Sequence, residues 1–164
     1  MIIKGITIIL HDNINTDEII PGRYLSINEP EELATHTFVD TIPNFHENIK
    51  KTGIIVAGNN FGCGSSREQA AICLKYSNVK AIIAQSFARI FFRNAINLGL
   101  PVIELPDACQ IINTNDKLTI LLNEGIIKNQ TTQKQYHFKP LPNWMLVMIE
   151  AGGYIPWSTN KSQQ

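Results

Sequence analysis

Two hydroxyls and a guanidinium stand side by side at Ser65, Ser66 and Arg67, directly after glycines at Gly58, Gly62 and Gly64. Arginine offers a planar, permanently charged fork that suits a carboxylate or a phosphate. Glycines let a backbone turn tightly and come close to a ligand. A serine hydroxyl is a poor base unless its alkoxide is held, and no histidine lies next to these serines in sequence. An alkoxide at a helix N-terminus, bonded by loop N–H groups and facing Arg67, is an arrangement that lowers that cost. The types and spacing describe an anion site with a candidate for proton transfer inside it.

Two familiar phosphate motifs fail here. A P-loop needs Gly, four residues and Gly-Lys-Ser/Thr, and residues 58–67 contain no lysine. A dinucleotide fingerprint needs Gly-x-Gly-x-x-Gly, and after Gly62-x-Gly64 the third glycine is replaced by Arg67. The bland alternative is a glycine-rich turn capped by a serine, and the attached Ser-Ser-Arg argues against it. Three cysteines (Cys63, Cys73, Cys109) show no C-x-x-C spacing, and four histidines (His11, His36, His46, His137) show no ligand spacing. No metal site is therefore expected within this chain. Cys63 has two readings, a reactive thiol beside the site or, the preferred one, a small residue filling space in a tight loop.

The elements around this loop follow from hydrophobic patterning. Residues 54–57 are an apolar, β-branched run of strand length. Ser66 with Gln69, or Ser65 with Glu68, has capping-box spacing, which predicts a helix over residues 66–76. A strand at 79–84, a helix at 87–98 and a strand at 100–104 follow, with Gly99 just past the helix end. This alternation predicts an α/β fold with a parallel, right-handed βαβαβ core. Ligands in such sheets collect at the carboxyl ends of strands, where the loop of residues 58–66 falls.

Outside that core the reading is coarser. Residues 6–9 read as a strand, 11–17 as a polar turn, and 30–34 as a helix opened by Pro30. Residues 34–51 read as helix and loop. Segments 117–122 and 125–128 flank Asn123-Glu124 as a hairpin, 135–138 adds a third strand, and 143–151 is a last helix. Residues 157–164 read as a polar, frayed tail. One domain is expected over residues 1–164, with an ordered core at about 1–155 and the additional mixed β portion packed beside the βαβαβ core.

A hydrophobic fraction of 44%, a charged fraction of 17% and zero formal net charge describe an ordinary globular chain. No electrostatic case exists for nucleic acid, and no apolar run approaches the roughly 20 residues that span a bilayer. A signal-peptide pattern is absent from the start of the sequence, so a cytoplasmic location is expected.

Residues Gly62-Cys63-Gly64-Ser65-Ser66-Arg67-Glu68-Gln69-Ala70 resemble the Gly-x-Gly-Ser-Ser-Arg-Glu signature of the aconitase superfamily's mobile swivel domain. Two further stretches match in the expected order. Asp12-Asn13-Ile14-Asn15-Thr16-Asp17-Glu18-Ile19-Ile20-Pro21 is similar to the family's Asn-Thr-Asp segment. Ala84-Gln85-Ser86-Phe87-Ala88-Arg89-Ile90-Phe91-Phe92-Arg93-Asn94 is similar to its Ser-Phe-Ala-Arg-Ile segment. With Arg23-Tyr24-Leu25 and Gly99-Leu100-Pro101-Val102-Ile103-Glu104, the likeness is to the short-form small subunits of the superfamily's two-subunit dehydratases. Three motifs in register over roughly residues 1–155 make it specific.

The resemblance implies a swivelling β/β/α fold with Ser65 as the base that removes a proton. It implies Ser66 and Arg67 as ligands of a substrate carboxylate, Gly64 in close approach, and Asp17 pointing into the site. The implied reaction dehydrates 2-isopropylmalate and rehydrates the alkene with the hydroxyl on the neighbouring carbon. The departing hydroxide needs a Lewis acid. In the family that acid is one iron of a 4Fe–4S cluster bound by three cysteines of another domain, which this chain lacks. The expected partners are accordingly a separate, cluster-bearing large subunit and a small dicarboxylate substrate, with no cofactor held by this chain. Relatives acting on citrate carry an arginine about a dozen residues past the Asn-Thr-Asp aspartate; here that region is Ser26-Ile27-Asn28-Glu29, without a cation. Leu25, Ser26 and Ile27 are expected to select an apolar substituent. Homoaconitase-like and dimethylmalate-dehydratase-like small subunits stay open as alternatives. So does a reading of another class, a non-catalytic module that binds an acidic partner.

Overall fold

A computed structural model describes residues 1–161 of the chain. Its strands are β1 (Ile2–Ile9), β2 (Gly53–Ala57), β3 (Ala81–Ala84), β4 (Val102–Glu104), β5 (Lys117–Leu121), β6 (Ile126–Asn129) and β7 (Lys134–His137). Its helices are α1 (Thr16–Ile19), α2 (Pro30–Ala34), α3 (Phe45–Thr52), α4 (Glu68–Tyr76), α5 (Arg89–Asn97), α6 (Ala108–Ile111), α7 (Asn143–Glu150) and α8 (Tyr154–Lys161). A 3₁₀ turn at Gly22–Tyr24 joins α1 to the segment before α2.

All seven strands share one sheet, ordered β4-β3-β2-β1-β5-β6-β7. β1 runs parallel to β2, with Ile6 opposite Gly53 and Ile9 opposite Val56. On its other edge β1 runs antiparallel to β5, with Ile2 opposite Leu121. The additional mixed β portion adjoins the βαβαβ core within this one sheet. β1 fuses the two, and it is longer than expected because residues 2–5 pair with β5.

Each half obeys the burial rule for its type. Every residue of β2 and of β3 is buried, as a parallel pair covered on both faces requires. β5, β6 and β7 form an antiparallel meander, and β5 and β6 alternate buried with less buried residues, so one face meets solvent. α3 packs on β1 and β2, while α4 packs on α1, α2 and α5.

α5 ends where Gly99 was expected to end it. Gly99 N donates to the Ile96 carbonyl at 2.9 Å and Leu100 N to the Ala95 carbonyl at 2.9 Å, the crossed pair that closes a helix. Lys75 reaches this end from α4. Its ammonium donates to the Leu98 carbonyl and, at 2.8 Å, to the Gly152 carbonyl. One cation therefore caps the C-terminal ends of α5 and α7 together.

Residues 157–161, expected as part of a frayed tail, lie in α8. Tyr154 and Trp157 contact each other with ring centroids 5.8 Å apart, and α8 packs on α5 and α7. The expectation for residues 162–164 lies outside the described residues. Among the described residues no helix is long and apolar enough to cross a membrane.

Candidate active site

Because β1, β2 and β3 are parallel neighbours, the segments leaving their carboxyl ends emerge on one side of the sheet. Those segments hold the chemistry-bearing residues of the sequence, and hydrogen bonds stitch them together. After β1, Ile14 accepts from Gly62 N at 2.8 Å and Cys63 N at 3.2 Å, and Thr16 N donates to the Cys63 carbonyl at 2.8 Å. The Thr16 hydroxyl donates to the Ser65 carbonyl at 2.9 Å. After β3, the Ser86 carbonyl accepts from Phe61 N at 3.0 Å, and Ala88 N donates to the Phe61 carbonyl at 2.9 Å. The Ser86 hydroxyl accepts from Asn60 N at 2.8 Å. The loop bearing Ser65 is held from both sides.

Two glycines make this approach possible. Gly62 has φ +79°, and a Cβ there would overlap the buried ring of Phe91. Gly64 has φ +92°, and a Cβ there would overlap the side-chain amide of Asn15. Neither position suits an L side chain, on conformational and on steric grounds.

Asp17 lies in the first turn of α1, not in a polar turn. Asn15 caps that helix, its Oδ1 accepting from Asp17 N at 2.9 Å. The Asp17 carboxylate pairs with Nη1 of Arg67, whose side chain is only 23% exposed. The helix expected from residue 66 begins instead at Glu68, with Arg67 as its N-cap and no side-chain capping bond. Neither capping box forms, because Ser65 and Ser66 stay in the loop. Both serines are exposed, and among the described residues neither hydroxyl has a hydrogen-bond partner.

These groups line a cleft of about 290 Å³. Thr16, Gly62, Gly64, Ser65, Ser66 and Arg67 form one wall. The first turns of α5 form the other, with Arg89, Ile90 and Phe91. Asp17, though bonded to Arg67, is not part of the lining. Thr16 and Arg89 were not singled out from the sequence. The signal for Arg89 was present in the Ser-Phe-Ala-Arg-Ile segment, but only the pairing of Phe61 with Phe87 places that segment across from Ser65.

Leu25, Ser26 and Ile27 do not line the cleft either. Leu25 and Ile27 are half-buried against the core, and Ser26 is exposed. The turn that leads to them starts beside the site, since a Cβ on Gly22 would lie 3.8 Å from Arg67 Nη1. Arg23 grips Asp40 from this turn, with Nη1 2.8 Å from Oδ2, and sits 4.7 Å from the centroid of Tyr24. Tyr24 in turn stacks on His36, centroids 3.9 Å apart.

Cys63 is half-buried, and its thiol points at the Asn13 carbonyl 3.4 Å away. Cys73 is buried, its thiol pushed up to about 12 by loss of solvent. Burial also raises the thiol of Cys109. Among the described residues no group of three or more His, Cys, Asp or Glu is disposed to hold a metal ion. These thiols do not fit an iron–sulfur cluster, which needs several converging thiolates.

Residues 1–108 match the aconitase C-terminal domain family. Over 161 residues the chain is 48% identical to the 3-isopropylmalate dehydratase small subunit of Thermodesulfovibrio yellowstonii, covering 98% of this chain and 96% of that one. Its counterpart in Methanosarcina mazei is 48% identical over 147 residues, covering 90% of each chain. Among solved structures, 3-isopropylmalate dehydratase from Methanocaldococcus jannaschii superposes with a TM-score of 0.92 at 41% identity. That match covers 99% of this chain and 96% of the other.

Proposed function

The chain belongs to the aconitase C-terminal domain family, and from that premise we propose how its residues share in a hydro-lyase reaction. Its function is that of a 3-isopropylmalate dehydratase small subunit, a role in leucine biosynthesis. The observation that carries the site reading is the convergence of three sequence segments on one cleft, bringing Ser65, Ser66 and Arg67 opposite Arg89.

In this reading a single swivel-type domain presents the cleft to substrate. Arg67 and Ser66 bind one carboxylate of the malate core, and Asp17 fixes the guanidinium that does so. Gly64 keeps the loop backbone close enough for its N–H groups to contribute. Ser65, as alkoxide, takes the proton from the carbon next to the hydroxyl-bearing one. The electrons of that C–H bond form the alkene as hydroxide departs. In the hydration half, Ser65 returns the proton to the carbon that lost the hydroxyl. Proton transfer of this kind contributes about 10²–10⁴-fold to rate.

Departure of hydroxide calls for a Lewis acid that this chain's residues do not supply. Being a small subunit implies a large-subunit partner, and we assign the 4Fe–4S cluster to it, with the pair working in the cytoplasm. Leu25, Ser26 and Ile27 would select the isopropyl group from the rim, through the turn that begins at Gly22 beside Arg67.

The test is co-expression with the large subunit, followed by an anaerobic assay against a panel of malate analogues. Turnover of 2-isopropylmalate above citrate and homologous tricarboxylates supports the reading. Tight capture of acidic peptides with no turnover by the assembled pair favours the binding-module alternative.

A further inference from the structure

Next to the cleft, and sharing Arg89 and Ile90 with it, lies a second groove of about 610 Å³ lined by Phe87, Arg89, Ile90, Phe92, Arg93 and Glu104. Its character differs from the cleft's. Ile90 is 42% exposed and is contiguous with the rings of Phe87 and Phe92 in the groove lining, so the exposure belongs to a patch and not to a lone side chain. Phe87 and Phe92 are half-buried, packed edge to face with centroids 6.0 Å apart. Arg89 and Arg93 stand four residues apart on α5 and so share a helical face. Both are exposed, and among the described residues neither has a carboxylate partner. The groove thus sets an apolar floor between two arginines, with Glu104 the one carboxylate of its lining.

We propose that this groove on α5 is where the large subunit docks, inserting an apolar side chain flanked by carboxylates. The inference rests on the two-subunit reading above. A Lewis acid brought by a partner would have to reach the departing hydroxyl of a substrate held beside Ser65. The partner therefore seats on the rim of the cleft, and Arg89 with Ile90 is the rim on the α5 side. A stable interface buries about 800 Å² per partner, more than the mouth of a small cleft offers. The contact must spread outward, and this groove is continuous with the rim. Aromatic residues and arginine are also the residue types that dominate interface energetics. Two arginines against the single carboxylate of Glu104 leave the lining net positive, which selects an acidic partner surface by charge complementarity.

Arg93 reports on docking alone, since it lines the groove and not the cleft. The experiment measures affinity of the purified large subunit for wild type, Arg93→Glu, Arg93→Ala and Lys134→Glu, anaerobically and at several salt concentrations. Lys134 supplies an exposed like charge on β7, the strand at the other edge of the sheet from β4. Arg93→Glu is expected to weaken assembly at least about tenfold and to flatten its salt dependence. Arg93→Ala should fall between, Lys134→Glu should match wild type, and kcat at saturating large subunit should stay within about twofold. Unchanged affinity of both Arg93 variants overturns the docking assignment, as does a loss of kcat with affinity intact. If wild type itself fails to bind the large subunit, the two-subunit reading falls and takes this inference with it.

Discussion

The carboxylate of Asp17 and the guanidinium of Arg67 are paired across the seam between α1 and the glycine loop, fifty residues apart in sequence. The pair ties up one guanidinium nitrogen and fixes the plane of the fork that a substrate carboxylate must meet. Asp17 is half exposed, so the pair adds little to global stability. Its value lies in orientation.

Asp17→Asn should therefore leave the melting temperature nearly unchanged and raise KM for the dicarboxylate about tenfold, with kcat within about threefold. Steady-state kinetics of the reconstituted enzyme, beside a thermal melt of the isolated chain, check both halves. A collapse of kcat at constant KM would move Asp17 from a positioning role to the chemical step.

Ser65→Ala should lower kcat by about 10³-fold or more while assembly and folding stay intact, because a base is needed only in the transition state. Arg67→Lys should chiefly raise KM, since an ammonium cannot reproduce the two-pronged contact or the pairing with Asp17. Near-normal kcat in Ser65→Ala sinks the base assignment.

Ser26→Arg tests whether the rim selects substrate. A cation there should cut kcat/KM on 2-isopropylmalate and raise it on homologues bearing a terminal carboxylate. An alkyl group gains roughly 1–3 kcal/mol from an apolar pocket, and a carboxylate is strongly disfavoured there without a charge partner. An unchanged ratio of the two kcat/KM values places selectivity on the large subunit.

Lys75→Met should cost about 1–2 kcal/mol and lower the melting temperature by about 2–8 °C. The variant keeps the aliphatic stem but leaves the Leu98 and Gly152 carbonyls without their shared donor. A melt that matches wild type would show that water replaces the ammonium at no cost.

Arg23 holds the Asp40 carboxyl below its ordinary value of 3.8. A depressed folded value means the pair's stabilisation is present above that ordinary value and is lost as pH falls through the folded one. The gap in melting temperature between wild type and Asp40→Asn should accordingly be constant near neutrality and close as the medium is acidified below about pH 4. Both side chains are exposed, so the gap will be small and will shrink in high salt.

What could be read from the sequence were the features set by local pattern. The uninterrupted apolar runs of β2 and β3, the hairpin of β5 and β6, and the helix closure at Gly99 each depend on neighbours a few residues away. The pairing of β1 with β5 could not be read, because Ile2 and Leu121 meet only through the tertiary fold. Arg89 was hidden for the same reason, since its place in the cleft depends on Phe61 pairing with Phe87. The start of α4 was misplaced because the capping-box pattern ignored the backbone: Gly64 at φ +92° and the Thr16 bond to the Ser65 carbonyl keep Ser65 and Ser66 in the loop. The proximity of Gly22 to Arg67 had no sequence signal at all.

β1 carries a consequence for how the chain reaches its native state. It precedes the other strands in sequence, yet it occupies the middle of the sheet, with β2 about fifty residues later on one edge and β5 more than a hundred later on the other. Closing such separations before their contacts form slows folding. Until β5 emerges from the ribosome, an edge of isoleucine-rich strand lies open to strands of other chains. Slow translation or high expression should therefore penalise yield through β1, and polar substitutions at Ile2, which is 64% exposed in the finished fold, offer relief without touching the cleft.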